Sequence, residues 1–273
     1  MPNGSMGGTE YVMIDEAGGS PPYYPDLAGK VALVTGGSRA IGAETCRALA
    51  ANGVAVAVNG RDGAAIDQVV AEITAAGGTA VAAPGDVTDE AVVRRIREKV
   101  EGALGPVEIL ATFAGGAGAP GSTAELGADR WRAVIESDLT SVYVTVAAFL
   151  PAMIERGRGS IITMSSAAGR QPSRANAAYA AAKAGVVMFT KHLAGEVGGH
   201  GIQVNCLAPA AVLNDRMRQV MSAEQLDGLA GTYPLGRIGR PGDVAQATLY
   251  LASDASSWIT GVVLDLGGGR VIV

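Results

Sequence analysis

The stretch Val31–Gly42 reads VALVTGGSRAIG. Its first five residues, VALVT, show no polar alternation, as expected of a strand buried on both faces. A glycine-rich turn follows at once, and an alanine-rich helical run begins near Ala40. Working outward, the same alternation fills the chain. Apolar runs recur at 54–58 (VAVAV), 79–83 (TAVAA), 107–112 (VEILAT), 160–165 (SIITMS), 202–207 (IQVNCL) and 262–266 (VVLDL). Helical stretches are expected near 40–52, 63–76, 88–104, 127–156, 175–198 and 241–253. Strands alternating with helices predict an α/β fold. The expected form is a single doubly wound domain, with a central parallel sheet of about seven strands and helices on both faces.

Composition agrees. With 48% hydrophobic and 17% charged residues, the 273-residue chain can fill a large core. Its 39 glycines follow no collagen period and belong to turns and close backbone approaches. A net charge of −5 argues against a nucleic-acid partner. Cys46 and Cys206 have no metal-ligand spacing, so two free thiols and no metal site are expected. No apolar run reaches about 18 residues, which argues against a membrane span. The first thirty residues lack the basic start and apolar stretch of a secretory signal, so a cytoplasmic location is expected. Residues 1–27, rich in Gly, Pro, Ser and acids, read as a flexible arm with Tyr23 and Tyr24 as local anchors. Residues 28–273 read as one domain, within which 210–239 is too long for an ordinary connection and is expected to be a substrate lid.

The turn after the first strand carries the first functional signal. Gly36 permits the turn, and Gly42 lets the helix pack closely on the strand. Free N–H groups at a helix start, aided by the helix dipole, suit a pyrophosphate. Ser38, Arg39 and Ile41 lie in the same turn. After the second strand, where an NAD site usually places a carboxylate, stand Asn59, Gly60 and Arg61. A guanidinium there suits a 2′-phosphate, and Arg39 is placed to reach the same group. The pair predicts NADPH/NADP+ as cofactor, although Asp62 follows directly.

The second signal is Tyr179-Ala-Ala-Ala-Lys183, whose i,i+4 spacing puts both side chains on one helix face. The lysine is informative because the chain has only 4 lysines against 17 arginines. A neighbouring ammonium lowers a phenol toward working pH. Such a tyrosine can give a proton to a carbonyl oxygen or take one from an alcohol. Ser166, at the end of a predicted strand, can hydrogen-bond the same oxygen, with Ser165 as its competitor. His192 and His200 have no Ser/Asp arrangement around them, so no hydrolase triad is read.

On Thr-Gly-x3-Ala-x-Gly and Ser166-x12-Tyr179-x3-Lys183, the chain resembles the short-chain dehydrogenase/reductase family over roughly 29–269, most of all its 3-oxoacyl-[acyl carrier protein] reductase branch. The resemblance implies a Rossmann-type fold and a carbonyl reductase. Hydride would go from the nicotinamide to a ketone, with Tyr179 as proton donor, Ser166 on the carbonyl and Lys183 on the nicotinamide ribose. It further implies Asp86 and Val87 at the adenine, Ala114 and Gly115 beside the adenosine, and Pro209, Ala210, Val212 and Asn214 beside the nicotinamide. Asp138 takes the place of the family's fourth catalytic residue, an asparagine. Other departures are Ala40 for a glycine and Thr112-Phe113 for two asparagines. A carbonyl substrate, small or carrier-bound, is expected against Gly116, Gln171, Asn176, Met217 and Met221, fitting a β-ketoacyl, polyketide or cyclic ketone. Alcohol oxidation and a low-turnover cofactor-binding scaffold are the competing readings. The apolar helices TVAAFLPAM and AAYAAAKAGVVMF, with the tail Val271-Ile272-Val273, predict a homotetramer, with a dimer as the lesser alternative.

Overall fold

A computed structural model describes residues 22–270. Most of the arm expected over 1–27, and the tail Val271–Val273, therefore lie outside the described residues. The part of the arm that is described is docked. Leu27 is fully buried in the core, the Tyr24 N–H donates to Asn52 Oδ1 at 2.8 Å, and Asn52 Nδ2 donates to the Pro22 carbonyl at 3.3 Å. An apolar residue and two hydrogen bonds, one of them at Tyr24, hold this end.

Seven strands form one parallel sheet: β1 (Val31–Thr35), β2 (Ala55–Gly60), β3 (Ala80–Pro84), β4 (Ile109–Thr112), β5 (Gly159–Met164), β6 (Ile202–Pro209) and β7 (Val263–Leu266). Their order is β3-β2-β1-β4-β5-β6-β7. The sheet thus reverses its winding between β1 and β4, and ligands bind at the carboxyl ends of strands flanking such a switch point.

Alternate residues of each strand feed two cores. On one face Ala32, Val34, Val56 and Val58 meet α1 (Ala40–Ala51), α2 (Gly63–Ala75) and α9 (Pro241–Ala252). On the other, Val31, Leu33, Ala57 and Leu110 meet α3 (Glu90–Leu104), α5 (Ser141–Arg156) and α6 (Ala177–Val197). Burial on both faces explains why the strands read as unbroken apolar runs.

Two elements differ from expectation. The long helix expected near 127–156 is α4 (Ala128–Ile135) joined to α5 by a π turn over Glu136–Thr140. By length and composition alone, Ala128–Arg156 would suffice to cross a bilayer. Here Val144, Val146, Phe149 and Met153 pack on the sheet as in a core helix. The segment read as irregular, 210–239, contains α7 (Asp215–Val220), capped by Asn214, and α8 (Ala223–Ala230), opened by a Ser222/Gln225 capping box.

Candidate active site

At the switch point lies a cleft of about 710 Å³, lined by Gly36, Ser38 and Arg39 from the first turn. Asn59 and Arg61 line it beyond β2, Asp86 and Val87 beyond β3, and Ala114, Gly115 and Gly116 beyond β4. The loop geometry demands its glycines. A Cβ on Gly42 would lie 2.1 Å from the Gly36 carbonyl oxygen, so only glycine lets α1 approach the turn this closely. Ala40 adopts φ +43°, the left-handed region, and is the one non-glycine residue to do so among the described residues. Ile41 is partly buried and packs on the core.

The cleft's polar groups already have protein partners. Arg39 pairs with Asp62, and Arg61 stands 3.9 Å from Asp86. Asp86 Oδ1 also accepts from the Thr88 N–H at 3.1 Å and the Thr88 hydroxyl at 2.9 Å. The backbone N–H of Thr88, against the opposing effect of partial burial, holds the Asp86 carboxyl below its ordinary range. Asn59 is buried, with Nδ2 donating to the carbonyls of Ala83 and Gly85, so it braces the end of β3.

Four catalytic candidates converge beyond the glycine loop. Ser166 follows β5 and opens a short 3₁₀ turn, its Oγ accepting from the Ala168 N–H at 3.2 Å. Its hydroxyl stands near enough to Tyr179 to draw the phenol downward. The competitor Ser165 is buried and donates to the Lys183 carbonyl at 2.7 Å, which commits it to the fold. Lys183, one turn after Tyr179 on α6, has Nζ 5.6 Å from the tyrosine ring centre. That ammonium is only 2% exposed, donates to the Met164 carbonyl at 3.0 Å and pairs with Asp138 Oδ1 at 3.3 Å.

Asp138, 0% exposed, sits in the π turn, where the extra residue per turn re-aims side chains. Its carboxylate accepts from the Gly116 N–H at 2.6 Å, the Ala117 N–H at 3.3 Å and the Ser137 hydroxyl at 2.7 Å. A Cβ on Gly115 would lie 2.5 Å from Asp138 Oδ1, so glycine is required for the loop to close on the carboxylate. Burial pushes the Tyr179 phenol above its ordinary value; the Ser166 hydrogen bond opposes this and the Asp138 charge adds to it. This reverses the expectation of a lowered phenol, because burial dominates and the Asp138 charge acts in the same direction. Burial likewise pushes the Lys183 ammonium down, with Asp138 opposing.

A family model described as short chain dehydrogenase matches residues 30–225. The chain belongs to the short-chain dehydrogenase family. It is 36% identical over 250 residues to the 3-oxoacyl-[acyl-carrier-protein] reductase FabG of Escherichia coli, covering 91% of this chain and 100% of that one. It is 35% identical over 243 residues to the 2,5-dichloro-2,5-cyclohexadiene-1,4-diol dehydrogenase LinX of Sphingobium indicum, covering 89% and 96%. Among solved structures, a 3-oxoacyl-[acyl-carrier protein] reductase with bound NAD from Brucella melitensis superimposes with a TM-score of 0.84 at 30% identity. That match covers 92% of this chain and 94% of the other. The chain is thus a short-chain dehydrogenase with a Rossmann-like parallel sheet and, by its relatives, an oxidoreductase of the reductase-like branch.

Not every residue expected at the short-chain dehydrogenase site lines the main cleft. Pro209 ends β6 and Ala210, Val212 and Asn214 follow it, and Val212 lines a second cleft of about 300 Å³ with Tyr233 and Leu235. Asn214 is spent on capping α7, where its Oδ1 accepts from the Met217 N–H at 3.0 Å. Asn176, expected at the substrate, is buried; it caps α6 and donates to the Ala117 and Ala119 carbonyls, both at 2.9 Å. It fixes the loop 117–119 beside Tyr179. Gln171, Met217 and Met221 are half-buried and line neither cleft. Glu136, Ser137 and Ser141 line the main cleft and were not singled out in the sequence. They enter through the π turn, for which no compositional signal exists.

Proposed function

We propose that the protein is an NADPH-dependent ketoreductase that converts a partly apolar ketone (β-ketoacyl, polyketide or cyclic) to the secondary alcohol. One observation carries the reading: Tyr179 has the buried ammonium of Lys183 5.6 Å from its ring centre and the Gly118 backbone against its ring, where the loop that lines the cleft at Gly115 and Gly116 ends. The cleft fits the cofactor by its donor set. The turn Gly36–Ala40 runs into the start of α1, suiting a diphosphate. Arg39 and Arg61 supply guanidinium groups for a 2′-phosphate. A volume of about 710 Å³ is ample for a ligand of that class.

A reduced nicotinamide, when bound, supplies a hydride to the carbonyl carbon. Ser166 holds the carbonyl oxygen and Tyr179 gives that oxygen its proton, recovering one from solvent afterwards. Lys183, fixed by the Met164 carbonyl and Asp138, is placed to orient the ribose. Segment 210–239 is read as the lid over the substrate, the assembly as a homotetramer and the location as cytoplasmic. Alcohol oxidation with NADP+ is the second reading, favoured by the 35% identity to a diol dehydrogenase.

A panel of β-keto thioesters, diketones and cyclic ketones, assayed with NADPH and NADH, tests the proposal. The matching alcohols are assayed with the oxidised cofactors. NADPH-dependent reduction of at least one ketone is expected, falling by roughly 10² or more in Tyr179→Phe. Absence of turnover with every ketone overturns the reductase reading. Turnover of an alcohol alone selects the second reading, and binding without turnover leaves the scaffold.

A further inference from the structure

The carboxylate of Asp138 is the most heavily engaged group in the site. It takes two backbone N–H donors from the glycine loop, one hydroxyl from Ser137 and the ammonium of Lys183. It is as inaccessible to water as any atom in the core. A buried cation alone would stabilise a phenolate on Tyr179, whereas a buried cation with its own carboxylate offers a field that largely cancels. We propose that the Asp138–Lys183 pair is a charge-cancelling device that keeps the Tyr179 hydroxyl a proton donor throughout the neutral range and confines alcohol oxidation to alkaline pH. Asp138 acts here as a positioning residue, through Lys183 and the loop, without touching the reacting atoms.

The charged and titratable groups around Tyr179 are few. Lys183 lies on its own helix, Asp138 faces it from the π turn, and Ser166 meets it from the end of β5. The Gly118 backbone lies against its ring, where a Cβ would come within 2.9 Å. Behind Lys183, on β6, the Cys206 thiol is buried, which pushes it up and keeps it uncharged. Burial pushes the Tyr179 hydroxyl up and the Asp138 charge acts in the same direction, so the neutral phenol is the favoured form. Reduction uses that form: the phenol O–H bond breaks as its proton passes to the carbonyl oxygen, while hydride forms the new C–H bond. Oxidation runs the same atoms backwards and requires the phenolate to be present first.

The inference rests on the ketoreductase reading, but its first test does not need turnover. Phenolate absorbance is titrated in the protein and in Tyr179→Phe, and the difference isolates Tyr179. The wild-type midpoint is expected at or above the ordinary value of about 10. In Asp138→Asn, nearly isosteric and lacking the charge, the midpoint should fall by about one pH unit or more. A wild-type midpoint below about 10, or an unmoved midpoint in a folded Asp138→Asn, overturns the proposal. The second test is the pH profile of kcat/KM for alcohol oxidation, whose alkaline rise should move down by the same interval in Asp138→Asn. A purely structural role would lower the rate without moving the profile, and that result also overturns it. If no ketone or alcohol turns over, the function proposal fails while the titration still decides this one.

Discussion

Arg39, one of two arginines lining the main cleft, is paired with Asp62, which lines it too. A 2′-phosphate has to displace that carboxylate, whereas a 2′-hydroxyl does not. Asp62 also accepts from the Ala65 N–H at 3.2 Å as the cap of α2. Asparagine at this position keeps the cap and removes the charge. Asp62→Asn should therefore tighten NADPH binding by roughly two- to five-fold, the scale of an exposed ion pair, with NADH little changed. Fluorescence titration of both cofactors checks it; equal effects on the two would place Asp62 outside the phosphate pocket.

Ala40 pays a conformational penalty at the start of α1. A non-glycine residue at φ +43° costs on the order of 1–2 kcal/mol. Glycine removes that cost but loosens the unfolded chain by about 0.4–1 kcal/mol. Ala40→Gly should leave a net gain of about 0.5–1 kcal/mol in urea unfolding. A loss of stability would mean that the alanine methyl makes a packing contact worth more than the strain.

Thr112 has a buried hydroxyl with no hydrogen-bond partner. It stands where the family carries an asparagine, and the neighbouring connection is made instead by the Ala114 N–H, which donates to Thr35 Oγ1 at 3.1 Å. An unsatisfied buried hydroxyl costs about 1–3 kcal/mol, and valine has the same shape without it. Thr112→Val should be neutral or stabilising by up to about 2 kcal/mol, measured as a raised urea midpoint at constant slope. Destabilisation would show that the hydroxyl has a partner in solution.

The sheet was legible because its central strands are buried on both faces: VALVT is buried at every position and carries no surface pattern that competes with the strand reading. The first turn was legible because Gly36 and Gly42 answer local steric demands a few residues apart. Ser166, Tyr179 and Lys183 were legible as a spacing, and their meeting depends only on β5 and α6 being adjacent. A carboxylate at position 138, near Lys183, was legible as a partner for that lysine, and the two do pair; its engagement with the glycine loop was not legible. Its loop partners lie 21 and 22 residues earlier in the chain and reach it only because a π turn re-aims the side chain. The backbone partners of Asn176 were not legible either, because Ala117 and Ala119 lie nearly sixty residues earlier in the chain. The short helices in 210–239 did have a signal, Ser222-Ala-Glu-Gln225, which the length of the segment obscured.

Assembly follows from what the second face of the long helices leaves uncovered. On α5 and α6 one face packs on the sheet through Val144, Phe149, Leu193 and Val197. Tyr143 is 56% and Met188 64% exposed, and Trp131 on α4 is 41% exposed. Tyr143 meets Phe189 edge-on, with ring centres 6.4 Å apart, so an aromatic pair spans the two helices at this surface. Large apolar side chains gathered on adjoining helices mark an interaction surface more often than a bare one. A symmetric partner presenting the same face would cover them, because a two-fold contact needs only one self-complementary patch. Trp258, 99% exposed near the β7 edge, offers a second contact from which a dimer can grow to a tetramer. Light scattering at micromolar concentration should give four times the 27.4 kDa chain mass, and the double variant Tyr143→Glu, Met188→Glu should give a smaller species with its circular dichroism unchanged. A wild-type mass near 27.4 kDa would overturn the assembly. A tetramer unaffected by the two glutamates would move its interface away from α5 and α6.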